Sequence, residues 1–363
     1  MSQSQAHKSV MIMAGGTGGH IFPGLAVAHA LKARGIEVVW LGSEGGMETR
    51  LVPEQGFAIE TLAIKGLRGK GLMSLLKAPF TLVGAVSKAV TLMSQHKPDA
   101  VVSFGGYTAG PGGVAAYLQG RPLLVHEQNC APGLTNRLLA RIAKKVLTGF
   151  PNSFNKVANT TVGNPVRPEI SALAAPEQRY ASHGGATRLL ILGGSQGARA
   201  INALIPKVVS ELADRHAFDI RHQSGEKMRE ETEQAYQLAG IGVRVEPFIR
   251  DMAEAYAWAD VVIGRAGALT VSELCAAGVA SILIPLPTAV DDHQAKNAEF
   301  LKAHGGGWWF RQDERLEKNL SDALLDLASH PERLLQMAKA ARAAALPKAA
   351  ERTADIIIQE MAW

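Results

Sequence analysis

Cysteine is nearly absent from the sequence. Cys130 and Cys275 are the only two in 363 residues, and neither stands in a CxxC pair or at a Cys/His spacing suited to zinc. That excludes a disulfide-stapled fold and a structural zinc site; with no signal-peptide pattern, it predicts a protein of the reducing cytosol. Aromatic residues make up only 6% and do not interleave with basic ones, so the stacking platforms of a nucleic-acid module are missing. Long apolar runs are missing too. Hydropathy peaks near Leu72–Met93, but Lys77, Pro79 and Lys88 interrupt it. The longest uncharged stretch within it, Ala78–Ser87, falls far short of the ~20 apolar residues of a spanning helix.

What is present is a globular composition, 47% apolar and 20% charged, without low-complexity tracts. The length exceeds what one hydrophobic core usually fills, so two domains are expected. Charge is uneven. Residues 1–165 hold 16 Lys+Arg against 7 Asp+Glu, a net of +9; the remaining residues hold 22 against 26, a net of −4. An N-terminal half of that sign suits an anionic partner such as a diphosphate or an acidic membrane.

The two halves share one grammar. Val10–Ala14 is a short apolar run followed by "GGTGGH" (Gly15–His20), a helical pattern over Pro23–Arg34 stopped by Gly35, and a second apolar run at Glu37–Leu41. Strand, glycine loop, helix, strand is a unit of a parallel sheet. The grammar returns at "RLLILGGSQGAR" (Arg188–Arg199), where Gly194-Ser195 stands 178 residues after Gly16-Thr17. The expected architecture is α/β: two doubly wound Rossmann-like domains facing across a cleft, the first over residues 1–163 and the second over 164–345. "VGNPVRPEI" (Val162–Ile170), with two prolines and no periodicity, reads as the linker, with a hinge expected at Asn164–Pro168. A C-terminal helix at about residues 346–363 is expected to pack back onto the first domain.

A glycine loop that opens a helix presents free N–H groups and the positive end of the helix dipole, which suits a phosphate. The pattern GxxxxGK[ST] is absent, which argues against P-loop chemistry. GxGxxG fails as well: counted from Gly16 and Gly18, its last glycine falls on Ile21, and no ribose-binding acid ends the second strand. A sugar nucleotide or another diphosphate remains. "GRAGALTVSELCAAG" (Gly264–Gly278) follows an apolar run, so a helix is expected to start near Ala268–Thr270, with Glu273 one turn in and able to take a ribose diol.

Six segments occur in order: GGTGGHIFPGLAVA (Gly15–Ala28), FGGYTAGPGG (Phe104–Gly113), HEQN (His126–Asn129), GNPVR (Gly163–Arg167), GGSQGAR (Gly193–Arg199) and GALTVSE (Gly267–Glu273). Together they resemble the MurG family of bacterial N-acetylglucosaminyltransferases, over about residues 8–345. The resemblance implies the two-Rossmann-domain (GT-B) fold and inverting transfer of N-acetylglucosamine from UDP-GlcNAc to undecaprenyl-pyrophosphoryl-MurNAc-pentapeptide, the lipid I to lipid II step of peptidoglycan synthesis. No cofactor is implied, and no metal, since the family's fold does not depend on a DxD-bound ion. The implied location is the cytoplasmic side of the inner membrane, as a peripheral protein, with cell-wall synthesis or division proteins as partners.

The resemblance also assigns residues. Ser195 and the helix start at Ala268, Leu269 and Thr270 would hold the donor diphosphate, with Val271 and Ser272 also among the substrate-binding residues. Glu273 would take the ribose, the Ile249 backbone the uracil edge, Gln294 the sugar hydroxyls, and Arg167 the nucleotide from the linker. Thr17, Gly18, Gly19 and Asn129 would close over the donor sugar.

Sugar transfer with inversion needs a base for the acceptor hydroxyl. His20, at a helix entry, is the first candidate, a neutral imidazole near its usual pKa of ~6.5; His126 and Glu127, in "LLVHEQN", are its rivals. For the acceptor's own diphosphate the sequence offers Gly105, Gly106 and Tyr107 in "GGYTAGPGG", five glycines in nine residues. For the lipid it offers Leu72, Leu75, Leu76 and Phe80 beside Lys70 and Lys77, with Arg137, Arg141, Lys144 and Lys145 as an extension. The alternatives are a UDP-N-acetylglucosamine 2-epimerase, a non-catalytic sugar-nucleotide binding protein, and a nicotinamide dehydrogenase. The epimerase needs neither the membrane patch nor the second glycine cradle.

Overall fold

The computed structural model describes residues 8–64, 72–194 and 198–361, apart from the side chains of 72–78 and 290. The chain forms two compact units, the first of residues 1–165 and 348–363, the second of residues 166–347.

The first unit is built on a seven-stranded parallel sheet. Its strands are β1 (Ser9–Ala14), β2 (Glu37–Ser43), β3 (Ala58–Leu62), β4 (Ala100–Gly105), β5 (Leu123–Glu127), β6 (Lys145–Thr148) and β7 (Thr160–Thr161). They lie in the order β3-β2-β1-β4-β5-β6-β7. β1 shows why its run is apolar throughout. Val10, Ile12 and Ala14 enter one buried layer with the helices Gly18–Lys32 and Ala349–Glu360; Met11 and Met13 enter the opposite layer with Ala89, Leu92 and Met93. A strand covered on both faces needs apolar side chains at every position rather than every second one.

The first helix departs from expectation. It begins at Gly18, not Pro23, because the Thr17 carbonyl accepts the amides of His20 (3.1 Å) and Ile21 (3.2 Å) and so opens the first turn. Pro23 therefore lies inside the helix, where it lacks the N–H that would bond the Gly19 carbonyl. Gly35 ends the segment at φ +75°, with Ile36 donating back to the Leu31 carbonyl (3.1 Å).

The helix Ala349–Glu360 lies in the first unit. Ala354, Ile357 and Met361 enter the layer that holds Val10 and Ile12, and Asp355 pairs with Arg34 at 2.9 Å.

The second unit holds a six-stranded parallel sheet: β8 (Thr187–Leu192), β9 (Phe218–Gln223), β10 (Arg244–Glu246), β11 (Val261–Gly264), β12 (Ala280–Leu283) and β13 (Gly307–Trp309). The order is β10-β9-β8-β11-β12-β13. Both sheets thus reverse their strand order once, between β1 and β4 and between β8 and β11. In open parallel sheets ligands bind outside the carboxyl ends of the strands at that reversal. In each unit a glycine loop stands there.

Candidate active site

In the first unit β1 and β4 run side by side, Ala14 opposite Gly105, and their loops leave the sheet together. The loops touch through backbone. Gly106 sits at φ +97°, and a Cβ there would fall 2.5 Å from the Gly15 carbonyl oxygen, so only glycine fits. Tyr107, half exposed, lies beside Gly16. Gly18 and Gly19 begin the helix, where amides have no intrahelical partner. The structure therefore brings Thr17, Gly18, Gly19, His20, Gly105, Gly106 and Tyr107 to one place.

His20 is held there by its Nδ1, which lies 3.1 Å from the Gly15 carbonyl oxygen and 3.3 Å from the Thr17 hydroxyl. A carbonyl only accepts, so Nδ1 carries a hydrogen, and in the neutral ring Nε2 then keeps its lone pair. The Nε2 edge borders Gly105, whose missing Cβ would otherwise lie 3.2 Å from it. A partly exposed imidazole with an unprotonated Nε2 can accept a proton from a bound hydroxyl.

His126 and Glu127 are placed differently. His126 is wholly buried, stacked on Phe104 with ring centroids 5.2 Å apart. Its Nε2 donates to the Gly163 carbonyl (3.1 Å), and Nδ1 faces the Gln128 amide (3.3 Å). Burial pulls its pKa down to about 4, only partly opposed by the bond to Gly163. Glu127 spends both oxygens on the following loop. Oε1 accepts from the Asn129 amide (2.9 Å) and side chain (3.1 Å); Oε2 accepts from the Gly133 amide (3.1 Å) and Asn136 (3.0 Å). Both residues shape the loop that carries Asn129 and present no open acceptor to a substrate.

Asn136, which sequence reasoning did not single out, ties these pieces together. It donates to the His126 carbonyl (3.2 Å) and to Glu127, and it accepts from Ser103 (3.1 Å), whose hydroxyl oxygen accepts the Gly105 amide (3.2 Å). Glu48 was missed as well. It lies buried under the Gly15–Gly16 turn, accepting the Gly16 amide at 3.3 Å.

In the second unit the helix Ala268–Ala277 starts after Gly267, so the amides of Ala268, Leu269 and Thr270 point out of its first turn. Val271 is buried, and Ser272 and Glu273 follow on the same helix. Glu273 accepts from Arg167 Nε (3.0 Å) and Nη2 (2.8 Å) on one oxygen and from the Tyr256 hydroxyl (3.2 Å) on the other. Burial raises its pKa, while the Arg167 guanidinium works against that rise. Tyr256, unremarked in the sequence, becomes part of this group, and burial pushes its phenol well up.

Ile249 differs from expectation in one respect. Its amide is already engaged by the side-chain oxygen of Gln223 (2.9 Å), and both residues are buried. Gln294 accepts the Leu286 amide (2.9 Å) through its side-chain oxygen, which turns its NH2 group to other partners. Asp292, in the polar loop before it, pairs with Arg311 at 3.3 Å.

Ser195 and Lys70 lie outside the described residues, as do the side chains of Leu72, Leu75, Leu76 and Lys77. Phe80 is 81% exposed and Val83 69%. Val114, Tyr117 and Leu118 on the helix Ala109–Leu118 are exposed as well, as are Leu134, Leu138 and Ile142. Of the basic residues nearby, Lys144 and Lys145 pair with Glu360 (3.1 and 3.4 Å). Arg137 and Arg141 are exposed and carry no ion pair among the described residues. No helix among the described residues is long and apolar enough to cross a membrane.

Residues 10–148 match the glycosyltransferase family 28 N-terminal domain, and residues 188–353 match its C-terminal domain. The chain is 57% identical over 355 residues to a UDP-N-acetylglucosamine–N-acetylmuramyl-(pentapeptide) pyrophosphoryl-undecaprenol N-acetylglucosamine transferase of Xylella fastidiosa (strain Temecula1), covering 97% of each chain. It is 57% identical over 353 residues to the protein of that name from Xanthomonas campestris pv. campestris (strain 8004), covering 97% of this chain and 82% of the relative. Among solved structures, MurG of Acinetobacter baumannii superposes with a TM-score of 0.86 at 41% identity, covering 97% of this chain and 99% of the other.

Proposed function

The chain belongs to glycosyltransferase family 28, and we propose that it transfers N-acetylglucosamine, with inversion, from UDP-N-acetylglucosamine to undecaprenyl-pyrophosphoryl N-acetylmuramyl pentapeptide. It is an N-acetylglucosaminyltransferase of peptidoglycan synthesis. What carries this conclusion is the 57% identity, over 97% of the chain, to transferases of that name.

The geometry supports a division of labour. The acceptor hydroxyl attacks the anomeric carbon from the side opposite UDP, its proton passes to His20 Nε2, and the bond to UDP breaks with its electron pair. Negative charge grows on the departing diphosphate. The amides of Ala268, Leu269 and Thr270, at the positive end of their helix, meet that charge. Glu273 takes the ribose diol and Arg167 holds Glu273 while facing the nucleotide. The Ile249 backbone meets the uracil, its amide passing from Gln223 to the base, and the NH2 group of Gln294 meets the sugar hydroxyls. Thr17, Gly18, Gly19 and Asn129 are assigned to the donor sugar. Glu127 and His126 keep the Asn129 loop in shape.

The acceptor's own diphosphate meets the loop Gly105–Tyr107 and the start of the helix Ala109–Leu118. Its lipid keeps the enzyme at the cytoplasmic face of the inner membrane. Phe80, Val83, Leu118 and Leu138 dip into the interface, and Arg137 and Arg141 meet anionic headgroups. An epimerase has no use for such a surface.

The test is incubation with labelled UDP-N-acetylglucosamine and a short-chain muramyl-pyrophosphoryl lipid. Label moving to the lipid supports the proposal; interconversion of UDP-sugars without transfer overturns it.

A further inference from the structure

Glu48 has no part in the reaction as derived so far. It is fully buried at the start of the helix Glu48–Glu54. Among the described residues no cationic side chain pairs with it. Its Oε1 accepts from the Ser43 amide (2.9 Å) and hydroxyl (2.6 Å), and its Oε2 from the Gly16 amide (3.3 Å). Glycines make room for it: a Cβ on Gly15 or Gly46 would overlap the carboxyl, and one on Gly42 would fall 2.7 Å from Cγ. Burying a carboxyl without a cation is unfavourable, and an apolar side chain would fill the same space more cheaply.

The Gly16 amide and the Gly15 carbonyl belong to one peptide plane. No peptide bond in the described chain is cis, and across a trans peptide N–H and C=O point in opposite directions. By drawing the Gly16 N–H inward, Glu48 turns the Gly15 C=O outward, and that oxygen is the one 3.1 Å from His20 Nδ1. We propose that Glu48 is the positioning residue of His20: through the Gly15–Gly16 peptide it holds the imidazole as the Nδ1–H tautomer, with Nε2 facing the acceptor hydroxyl. Elsewhere a carboxylate does this for a catalytic histidine by direct contact. Here one peptide group is interposed, and hydrogen bonds in such a chain polarise one another. The same carboxylate makes this turn a poor phosphate cradle, because one of its amides is spent inward on an anion. What the turn receives is the reacting hydroxyl.

The proposal rests on the transferase function proposed above, and its test separates the two. Long-range proton–nitrogen spectra of protein labelled with ¹⁵N-histidine, with His20 assigned by its loss in His20→Ala, read the tautomer directly. Steady-state kinetics are measured on the same samples, and thermal unfolding confirms that each variant is folded. The wild type shows His20 as the Nδ1–H tautomer. Glu48→Gln, which turns an amide towards the Gly16 N–H, shifts His20 towards the other tautomer. It also lowers kcat by about 10- to 100-fold, the range seen when a metal-bound histidine loses its outer hydrogen-bond partner, with both KM values within about threefold. Ser43→Ala, which removes one of the groups orienting Oε1, shifts the tautomer in the same direction with a several-fold loss. It carries the test if Glu48→Gln does not fold. A loss of kcat with the His20 tautomer unchanged, or kcat within about twofold of wild type in a folded Glu48→Gln, overturns the proposal. A wild type that transfers no sugar while Glu48→Gln still shifts the tautomer overturns the assigned reaction and leaves the Glu48–His20 relation standing.

Discussion

Arg167 grips Glu273 with two nitrogens, Nε at 3.0 Å and Nη2 at 2.8 Å from the same carboxylate oxygen. The pair sits at the side of the helix whose first turn is assigned to the donor diphosphate, the place proposed for the ribose. Hydrogen bonds to a charged group contribute about 1.5–3 kcal/mol each. Glu273→Ala is therefore expected to weaken UDP binding at least about 10-fold, read by titration calorimetry. Unchanged UDP affinity would remove Glu273 from the donor site.

His126 makes stability depend on pH. Its folded pKa of about 4 lies below the ordinary 6.5 because burial disfavours the imidazolium. Between those values the unfolded chain binds the proton more readily than the folded one. The stabilising difference is fully present above pH 6.5 and is lost as pH falls towards 4, a total on the order of 3 kcal/mol. Urea unfolding at several pH values should show the acid slope of the first unit flattened in His126→Asn. Parallel slopes would contradict the buried neutral state. His222, brought down to about 3 by burial, contributes in the same direction from the second unit.

How much of this was legible beforehand depended on the range of each signal. The two sheets announced themselves because β1 and β8 are apolar runs that end in glycine, a strictly local pattern. The start of the first helix was misjudged for a local reason too. The helical apolar spacing is seen only from Pro23 on, after the glycines, whereas backbone bonds to the Thr17 carbonyl begin the helix at Gly18. Glu48 was invisible for a different reason. One of two glutamates in "SEGGMETR", it reads as a solvated turn residue, and only the approach of the Gly15–Gly16 turn to the end of β2 buries it. His126 and Glu127 looked chemical because they adjoin one another at a strand end. Of their partners, Gly163, Gly133 and Asn136 lie six or more residues away, and neighbourhood in sequence does not show that both side chains are already engaged.

The C-terminal helix is structural for the first unit. Ile357 is wholly buried in the layer shared with Val10 and Ile12. Ile357→Ala should cost about 2–4 kcal/mol, the usual range for emptying such a site. The measurement is denaturant unfolding, and a loss under about 0.5 kcal/mol would mean that the helix is dispensable.

Membrane contact is testable apart from turnover. Phe80 and Val83 are exposed, and burying side chains of this size is worth about 1.5–3 kcal/mol each. The double variant Phe80→Ser, Val83→Ser should lower affinity for anionic vesicles at least about 10-fold in sedimentation. Its activity on a short-chain acceptor in detergent should stay near wild type. Vesicle binding equal to wild type would move the membrane surface elsewhere.

In the proposed mechanism His20 Nε2 takes the proton of the acceptor hydroxyl, and the most direct measurement is the turnover of His20→Ala at saturating donor and short-chain acceptor, beside its affinity for UDP. Loss of a general base predicts a fall in kcat of about 10²–10⁴-fold with UDP affinity unchanged. Turnover within a few fold of wild type would contradict it and place the base on another group.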